Sequence, residues 1–195
     1  MPWPKPDRCG SGPFPKTPLP APEPVARVPR RFSRYGLPFP AVEQALQRLS
    51  PPPDLVLLST VMTYWYPGAV AAARLVRRLW PRVPIALGGL YATLCPDHAR
   101  ANVPADLIVP GPAEQEGNWR QMWSLLGLDA PNRPEFSFTP SLLGTFYPLA
   151  RFSVILGSRG CPFNCSYCAS NKIAPGFIQA EGSDLRPGVE AELER

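Results

Sequence analysis

Three cysteines that lie close together late in the chain are the residues best suited to chemistry. They are Cys161, Cys165 and Cys168, with three residues between the first pair and two between the second. Thiolates are soft ligands that select zinc, copper(I) and iron–sulfur clusters. Structural zinc sites and electron-transfer cubanes normally take four protein ligands. Three thiols on one loop leave one iron of a cubane open to a substrate, which predicts a reaction site.

The spacing C-x3-C-x2-C, with an aromatic residue before the last cysteine, resembles the signature of the radical S-adenosylmethionine (SAM) enzymes. The residues that carry the resemblance are Cys161, Cys165, Tyr167 and Cys168. The resemblance implies that the thiolates hold a [4Fe-4S] cluster and that SAM chelates its fourth iron. It also implies reductive cleavage of SAM to a 5′-deoxyadenosyl radical, with Tyr167 packed beside the adenine. An electron donor such as flavodoxin or ferredoxin is then an expected partner.

A zinc-binding interaction module is the alternative that the same cysteines leave open. Its fourth ligand would be Cys9, Cys95 or His98. A disulfide framework is disfavoured because nothing else in the sequence indicates secretion. The chain opens with alternating prolines instead of the apolar segment of a signal peptide. We therefore expect a cytoplasmic protein whose thiols stay reduced.

Composition separates the start of the chain from the rest. Proline makes up 29 of 195 residues, and many prolines precede residue 54. Residues 1–38 are therefore predicted to form an irregular leader, either disordered or laid as an ordered arm across a larger protein. The net charge of +5 comes partly from arginine clusters. We assign these arginines to a solvated face and expect no nucleic-acid partner, because no recognised nucleic-acid motif accompanies them.

Residues 39–126 show alternating apolar strand and helix patterns, which predict an α/β domain with a parallel sheet of the doubly wound, flavodoxin- or Rossmann-like kind. The run Leu55–Leu58 is predicted to be a strand buried on both faces. The uncharged run 55–73 is long enough to cross a membrane, but its Pro67-Gly68 pair favours a strand, a turn and a helix instead. The other predicted elements are helices at 41–49, 69–80 and 113–126, a helical turn at 96–101, and strands at 83–87 and 106–109.

The predicted α/β domain resembles the cobalamin-binding domain that precedes some radical SAM cores. Ser59 ends one predicted strand and Gly88-Gly89 ends the next, which matches two of that family's three markers. The resemblance implies that these residues line the groove for the nucleotide tail of cobalamin. The third marker, D-x-H-x-x-G, is absent, and His98 lies after Gly89 instead of before Ser59. Cobalamin is therefore an expected second cofactor without its usual histidine ligand.

Residues 127–150 lack a period and are predicted to be a linker, and 151–195 are predicted to start a radical SAM core. That last segment has room for a strand at 152–157, the cysteine loop and a helix from near Pro187. The resemblance implies a barrel of about six β/α units, so the sequence is expected to be a fragment with one such unit, and a non-catalytic fragment is an alternative to an active enzyme. The residues leave the substrate, small or macromolecular, undefined. They do not separate methyl transfer, ring rearrangement and methylthiolation.

Overall fold

The computed structural model describes residues 15–132 and 156–193, and these residues group into two compact units. Residues 15–50 belong to the first unit. Residues 51–132 and 156–193 belong to the second. The predicted linker and the predicted strand at 152–157 fall largely outside the described residues. The domain boundaries drawn from the sequence remain predictions, and the contacts group the helix before residue 50 with the first unit.

The first unit contains a two-stranded ribbon followed by a helix. Strand β1 (Lys16–Pro18) pairs antiparallel with β2 (Ser33–Tyr35), and helix α1 (Phe39–Gln47) follows. The described part of the predicted leader therefore contains one short antiparallel pairing, which the sequence did not indicate. A short ribbon accepts proline at its edges because the missing N–H faces solvent there. None of residues 15–50 is buried, so the described part of this unit contains no buried apolar core.

The second unit is built on a three-stranded parallel sheet. Its strands are β3 (Val56–Thr60), β4 (Ile85–Gly88) and β5 (Leu107–Ile108), in the order β3-β4-β5. The prediction of an α/β fold with a parallel sheet is confirmed, and the arrangement is compatible with a Rossmann-like fold. The helices of this part are α2 (Tyr66–Leu79), α3 (Gly89–Leu94), α4 (Pro96–Asn102) and α5 (Glu116–Ser124).

Helix α2 connects β3 to β4 and buries one face against the sheet. Ala69, Ala73 and Val76 recur at the spacing of one helix face and are buried, whereas Arg74 and Arg78 are exposed. This amphipathic pattern is what a helix on one side of a sheet requires. Helix α2 packs on the same face of the sheet as α3 and α4, around buried Ile85, Leu87 and Tyr91.

The described residues cover the other face of the sheet only in part. A small cluster of Ala86, Val109 and Met122 packs helix α5 against β4 and β5. Leu57 points away from the main core and remains 64% exposed. The prediction that the Leu55–Leu58 strand is buried on both faces is therefore wrong. The reason is position, because β3 is an edge strand among the described strands and the small cluster ends at Leu55.

The cysteine segment forms a small antiparallel hairpin with helices. Strand β6 (Ser158–Gly160) pairs with β7 (Phe177–Gln179), and helix α6 (Ser170–Ile173) lies between them. The last helix, α7 (Gly182–Leu193), begins five residues before the predicted Pro187 start. The antiparallel pairing was not predicted, because β7 consists of only three residues and all of them are exposed.

A carboxylate joins α2 to two strands of the sheet. The Asp106 carboxylate accepts hydrogen bonds from the Arg77 guanidinium at 2.6 Å and from the Ile85 N–H at 2.7 Å. Burial raises the pKa of Asp106, but these two bonds and the Arg77 charge outweigh burial and hold the pKa below its ordinary value. The carboxylate form therefore stabilises the start of β5 against β4.

Replacing Asp106 with asparagine is expected to lower the free energy of unfolding by about 1 kcal/mol at neutral pH. Hydrogen bonds to charged groups contribute about 1.5–3 kcal/mol, and we discount that range because the carboxylate is partly exposed. A lowered carboxyl pKa gives stability that is present above the ordinary carboxyl pKa and is lost as the pH falls through the lowered one. Urea unfolding across this acidic range should therefore show the parent losing more stability than Asp106→Asn. Equal losses would contradict the assignment.

Within the described residues, no helix combines the length and the hydropathy that a bilayer crossing needs.

Candidate metal centre and sheet edge

The three thiols lie on the loop between β6 and α6. Gly160 ends β6 with a φ of +85°, and a Cβ there would overlap the carbonyl oxygen of Gly176 on the opposite side of the hairpin. Only glycine fits this position, so the chain turns out of the hairpin directly before Cys161. The hairpin therefore fixes where the loop of thiols begins.

The second and third thiols share one turn. The Cys168 N–H donates a hydrogen bond to the Cys165 carbonyl oxygen at 3.1 Å. The Asn171 amide donates to the Phe163 carbonyl oxygen at 3.0 Å and to Asn164 Oδ1 at 2.9 Å, which ties α6 back onto the loop. Cys165 and Cys168 are exposed, and Cys161 is half-buried. These contacts order the loop and leave two of its thiols accessible from solvent.

The thiol of Cys168 is held in an environment that favours its ionised form. Its Sγ lies 3.1 Å from Ser170 Oγ. Hydrogen bonding from the Ser170 side chain, and then from its backbone, lowers the pKa of Cys168. Because the thiolate is the form that binds metal, the lowered pKa would favour metal binding by this residue.

The donor set fits a soft metal or an iron–sulfur cluster, because three thiols occupy one loop of eight residues. The described residues do not gather three or more His, Cys, Asp or Glu side chains into a metal-binding group. A metal ion bound by all three thiols would require them to converge. Of the three possible fourth zinc ligands, His98 lies in the first turn of α4. Its Nδ1 forms a hydrogen bond with the Tyr91 hydroxyl at 2.7 Å. Cys9 lies outside the described residues.

The aromatic residues of the loop project into solvent. Tyr167 is 91% exposed and Phe163 is 70% exposed. An exposed ring on the turn of Cys165 and Cys168 is free to stack on a planar ligand, so the packing of Tyr167 beside an adenine remains a prediction.

The three small residues predicted at the sheet edge lie together at the carboxyl ends of β3 and β4. Ser59 is the register partner of Gly88, and Thr60 bridges to Gly89. Gly89 has a φ of +89°, and a Cβ there would lie 2.7 Å from Ser59 Oγ and would overlap the Thr60 carbonyl oxygen. The close contact between strand ends thus accounts for glycine at 89 without any ligand.

Thr60 adds a polar group that the sequence did not single out. Its Oγ1 is buried and lacks a hydrogen-bond partner among the described residues. Thr60 is 8% exposed and follows Ser59 at the end of β3. A threonine that continues an apolar run gives no signal in the sequence that its hydroxyl will be buried.

The thiol loop and the sheet edge belong to the same compact unit. Helix α6, which ends the loop, packs against α3, which begins at Gly89. The Arg159 guanidinium forms an ion pair with the Glu114 carboxylate, on the loop that follows β5. Sequence reasoning missed this pair, because 45 residues separate its members and no periodic pattern links them.

A comparison with curated proteins finds a similarity to an uncharacterized methyltransferase of Pyrococcus horikoshii. The two are 25% identical over 147 residues, which cover 61% of this chain and 32% of that protein. The chain therefore spans about a third of the length of this relative. Neither a protein-family model nor a solved structure matches the chain.

Proposed function

We propose that this chain contains the cluster-binding segment of a radical SAM protein. The observation that carries the proposal is the C-x3-C-x2-C spacing on a single loop between β6 and α6, where two of the three thiols are exposed. The similarity to a methyltransferase supports SAM as the ligand, because SAM is a common methyl donor. The first β/α unit of a radical SAM core is the corresponding proposal for residues 151–195.

The cysteines and the tyrosine of the loop each have a role in this proposal. Cys161, Cys165 and Cys168 ligate a [4Fe-4S] cluster, and the contact with Ser170 lowers the pKa of the third thiol. When bound, the cluster supplies the electron that cleaves SAM. Tyr167 lies between two ligands, so its exposed ring is placed to pack on the adenine. The electron donor is a flavodoxin or ferredoxin.

A corrinoid is proposed as a second ligand, at the edge formed by Ser59, Gly88 and Gly89. The register of β3 and β4 brings these residues together at the carboxyl ends of the strands, where open parallel sheets bind their ligands. The small residues allow a ligand to approach the backbone closely. Binding there would not use a histidine ligand from a D-x-H-x-x-G motif, which the sequence lacks.

Anaerobic reconstitution with iron and sulfide tests the cysteine assignment. The parent chain is expected to bind about four iron and four sulfide and to give a reducible cluster signal by electron paramagnetic resonance. Replacing all three loop cysteines with alanine should abolish both. Cys95→Ala is the matched control, because Cys95 lies between α3 and α4, and it should load like the parent.

Two results would count against this function. One is an unchanged iron signal in the triple variant. The other is about one tightly held zinc per chain, without labile sulfide, in protein purified before reconstitution. That second result would favour the zinc-binding interaction module instead.

A further inference from the structure

Arg159 and Glu114 form an ion pair that joins the thiol hairpin to the parallel-sheet part of the second unit. Their side chains are 24% and 27% exposed, so the pair is largely shielded from solvent. Arg159 lies in β6, directly before Gly160 and Cys161. Partly buried ion pairs hold their geometry more firmly than exposed ones, because water screens them less.

The loop that carries Glu114 is itself fixed. The Asn118 amide donates to the carbonyl oxygens of Pro110 at 2.7 Å and Pro112 at 2.9 Å. The Gly111 N–H donates to Thr93 Oγ1 at 2.9 Å. These bonds tie the loop to both α5 and α3, so Glu114 extends from a braced segment.

The same bracing reaches the sheet edge. The Thr93 hydroxyl donates to the Gly89 carbonyl oxygen at 2.9 Å, within α3. A continuous series of contacts therefore runs from Gly89 through Thr93 to the loop of Glu114, and from Glu114 to Arg159. Helix α6, at the other end of the thiol loop, packs on α3 as well. Both ends of the thiol loop are thus attached to the same part of the sheet.

We propose that Arg159 is a positioning residue that holds the thiol loop in place, with Glu114 as its anchor. Without the pair, the start of the loop loses its attachment to the loop after β5 and Cys161 becomes accessible. The hairpin contact at Gly160 remains, so the effect is local. The consequence of this positioning for a bound cluster rests on the proposed function, but the positioning itself is testable in the metal-free chain.

The test measures alkylation of each cysteine by iodoacetamide, resolved by peptide mass spectrometry, in the full reduced and metal-free chain. Arg159→Gln and Glu114→Gln are expected to raise the Cys161 rate at least about fivefold. Cys95 is also half-buried and should keep its rate, because it reports on the packing of α3 and α4. The charge exchange, Arg159→Glu with Glu114→Arg, should restore most of the parental Cys161 rate.

Glu116→Gln is the matched control, because it removes the same charge from an exposed pair with Arg120, two residues from Glu114. It should leave the Cys161 rate unchanged. The proposal is overturned if Arg159→Gln matches the parent, if Glu116→Gln has the same effect, or if Cys95 accelerates equally. The last result would mean that the pair only supports overall stability.

A second measurement relates the pair to the cluster. In reconstituted protein, Arg159→Gln should bind as much iron as the parent but shift the reduction potential of the cluster or its resonance signature on addition of SAM. Unchanged spectra alongside faster Cys161 alkylation would overturn the cluster role and keep the loop role. Iron binding that survives loss of all three cysteines would refute the proposed function alone, because the alkylation result does not depend on metal.

Discussion

Gly89→Ala is expected to destabilise the second unit by about 3–5 kcal/mol, enough to unfold a marginally stable domain. The added Cβ would overlap the Thr60 carbonyl oxygen and lie 2.7 Å from both Thr60 N and Ser59 Oγ. Backbone atoms of a paired strand cannot move aside, so β3 and β4 must separate or α3 must shift. The φ of +89° adds strain for any residue with a Cβ. Urea unfolding followed by far-UV circular dichroism measures the loss.

Gly117→Ala serves as the control for this substitution. Gly117 lies in α5 of the same unit, and a Cβ there meets nothing within 4 Å. Alanine should stabilise that helix by up to about 1 kcal/mol, because glycine is the poorer helix former. A Gly89→Ala chain that unfolds at the parental urea concentration would show that the strand ends are looser than the described geometry.

Gly160→Ala is expected to break the β6–β7 hairpin and, with it, the iron binding proposed for the cysteine loop. A Cβ at 160 would overlap the Gly176 carbonyl oxygen and lie 3.2 Å from the Ala174 carbonyl oxygen. The parallel sheet is distant in sequence and should keep its fold, so the effect on global stability stays below that of Gly89→Ala. Hydrogen exchange should accelerate at least tenfold over residues 158–160 and 177–179, and iron loading should fall to background.

Gly176→Ala separates backbone strain from steric overlap. Gly176 also has a positive φ, +83°, but a Cβ there meets nothing within 4 Å. It should cost about 1–2 kcal/mol locally and leave iron loading close to the parental level. If Gly160→Ala and Gly176→Ala lose the same stability and iron loading, backbone strain at positive φ accounts for the loss, and steric overlap across the hairpin does not.

The sequence predicted the elements whose signal is local. Three local patterns each indicated one element: the apolar run at Leu55–Leu58, the stripe of Ala69, Ala73 and Val76, and the apolar run at 83–87. Strand β3, helix α2 and strand β4 lie at those places. Parallel strands end at one edge of a sheet, and in the structure this places Ser59 beside Gly88; their predicted role at a ligand groove stays a prediction. Boundaries shifted by a few residues, because helices and strands extend through residues that carry no periodic signal.

Features that depend on distant partners were not predictable in this way. Helix α3 was missed because it starts at the strand end itself, where the two glycines indicated only that the strand stops. The β1–β2 ribbon was missed because the many prolines in this region predict irregular structure, whereas the pairing of the two strands depends on residues far apart in the sequence. The exposure of Leu57 depends on which strand lies at the sheet edge, and the Glu114–Arg159 pair depends on the docking of the hairpin.

The candidate site was predictable in its chemistry but not in its setting. The types and spacing of Cys161, Cys165 and Cys168 define a soft-metal donor set without any structure. The contact between Cys168 Sγ and Ser170 Oγ was not predicted, because it depends on the conformation of the turn that leads into α6. The hydrogen bonds from Asn118 to the loop that carries Glu114 were not predictable, because their acceptors are backbone carbonyl oxygens, which carry no signal in the sequence.

The position of β3 at the edge of the described sheet has a consequence for folding of the newly made chain. Residues 55–61 form an uncharged, β-prone, proline-free heptapeptide, and among the described strands β3 has a pairing partner on one side only. Such a segment can template pairing with another nascent copy before its own domain closes. Asp54 and the prolines before it, residue types that oppose aggregation, flank this segment at its N-terminal end only. Pairing of this heptapeptide between copies would thus compete with folding while the chain is being made.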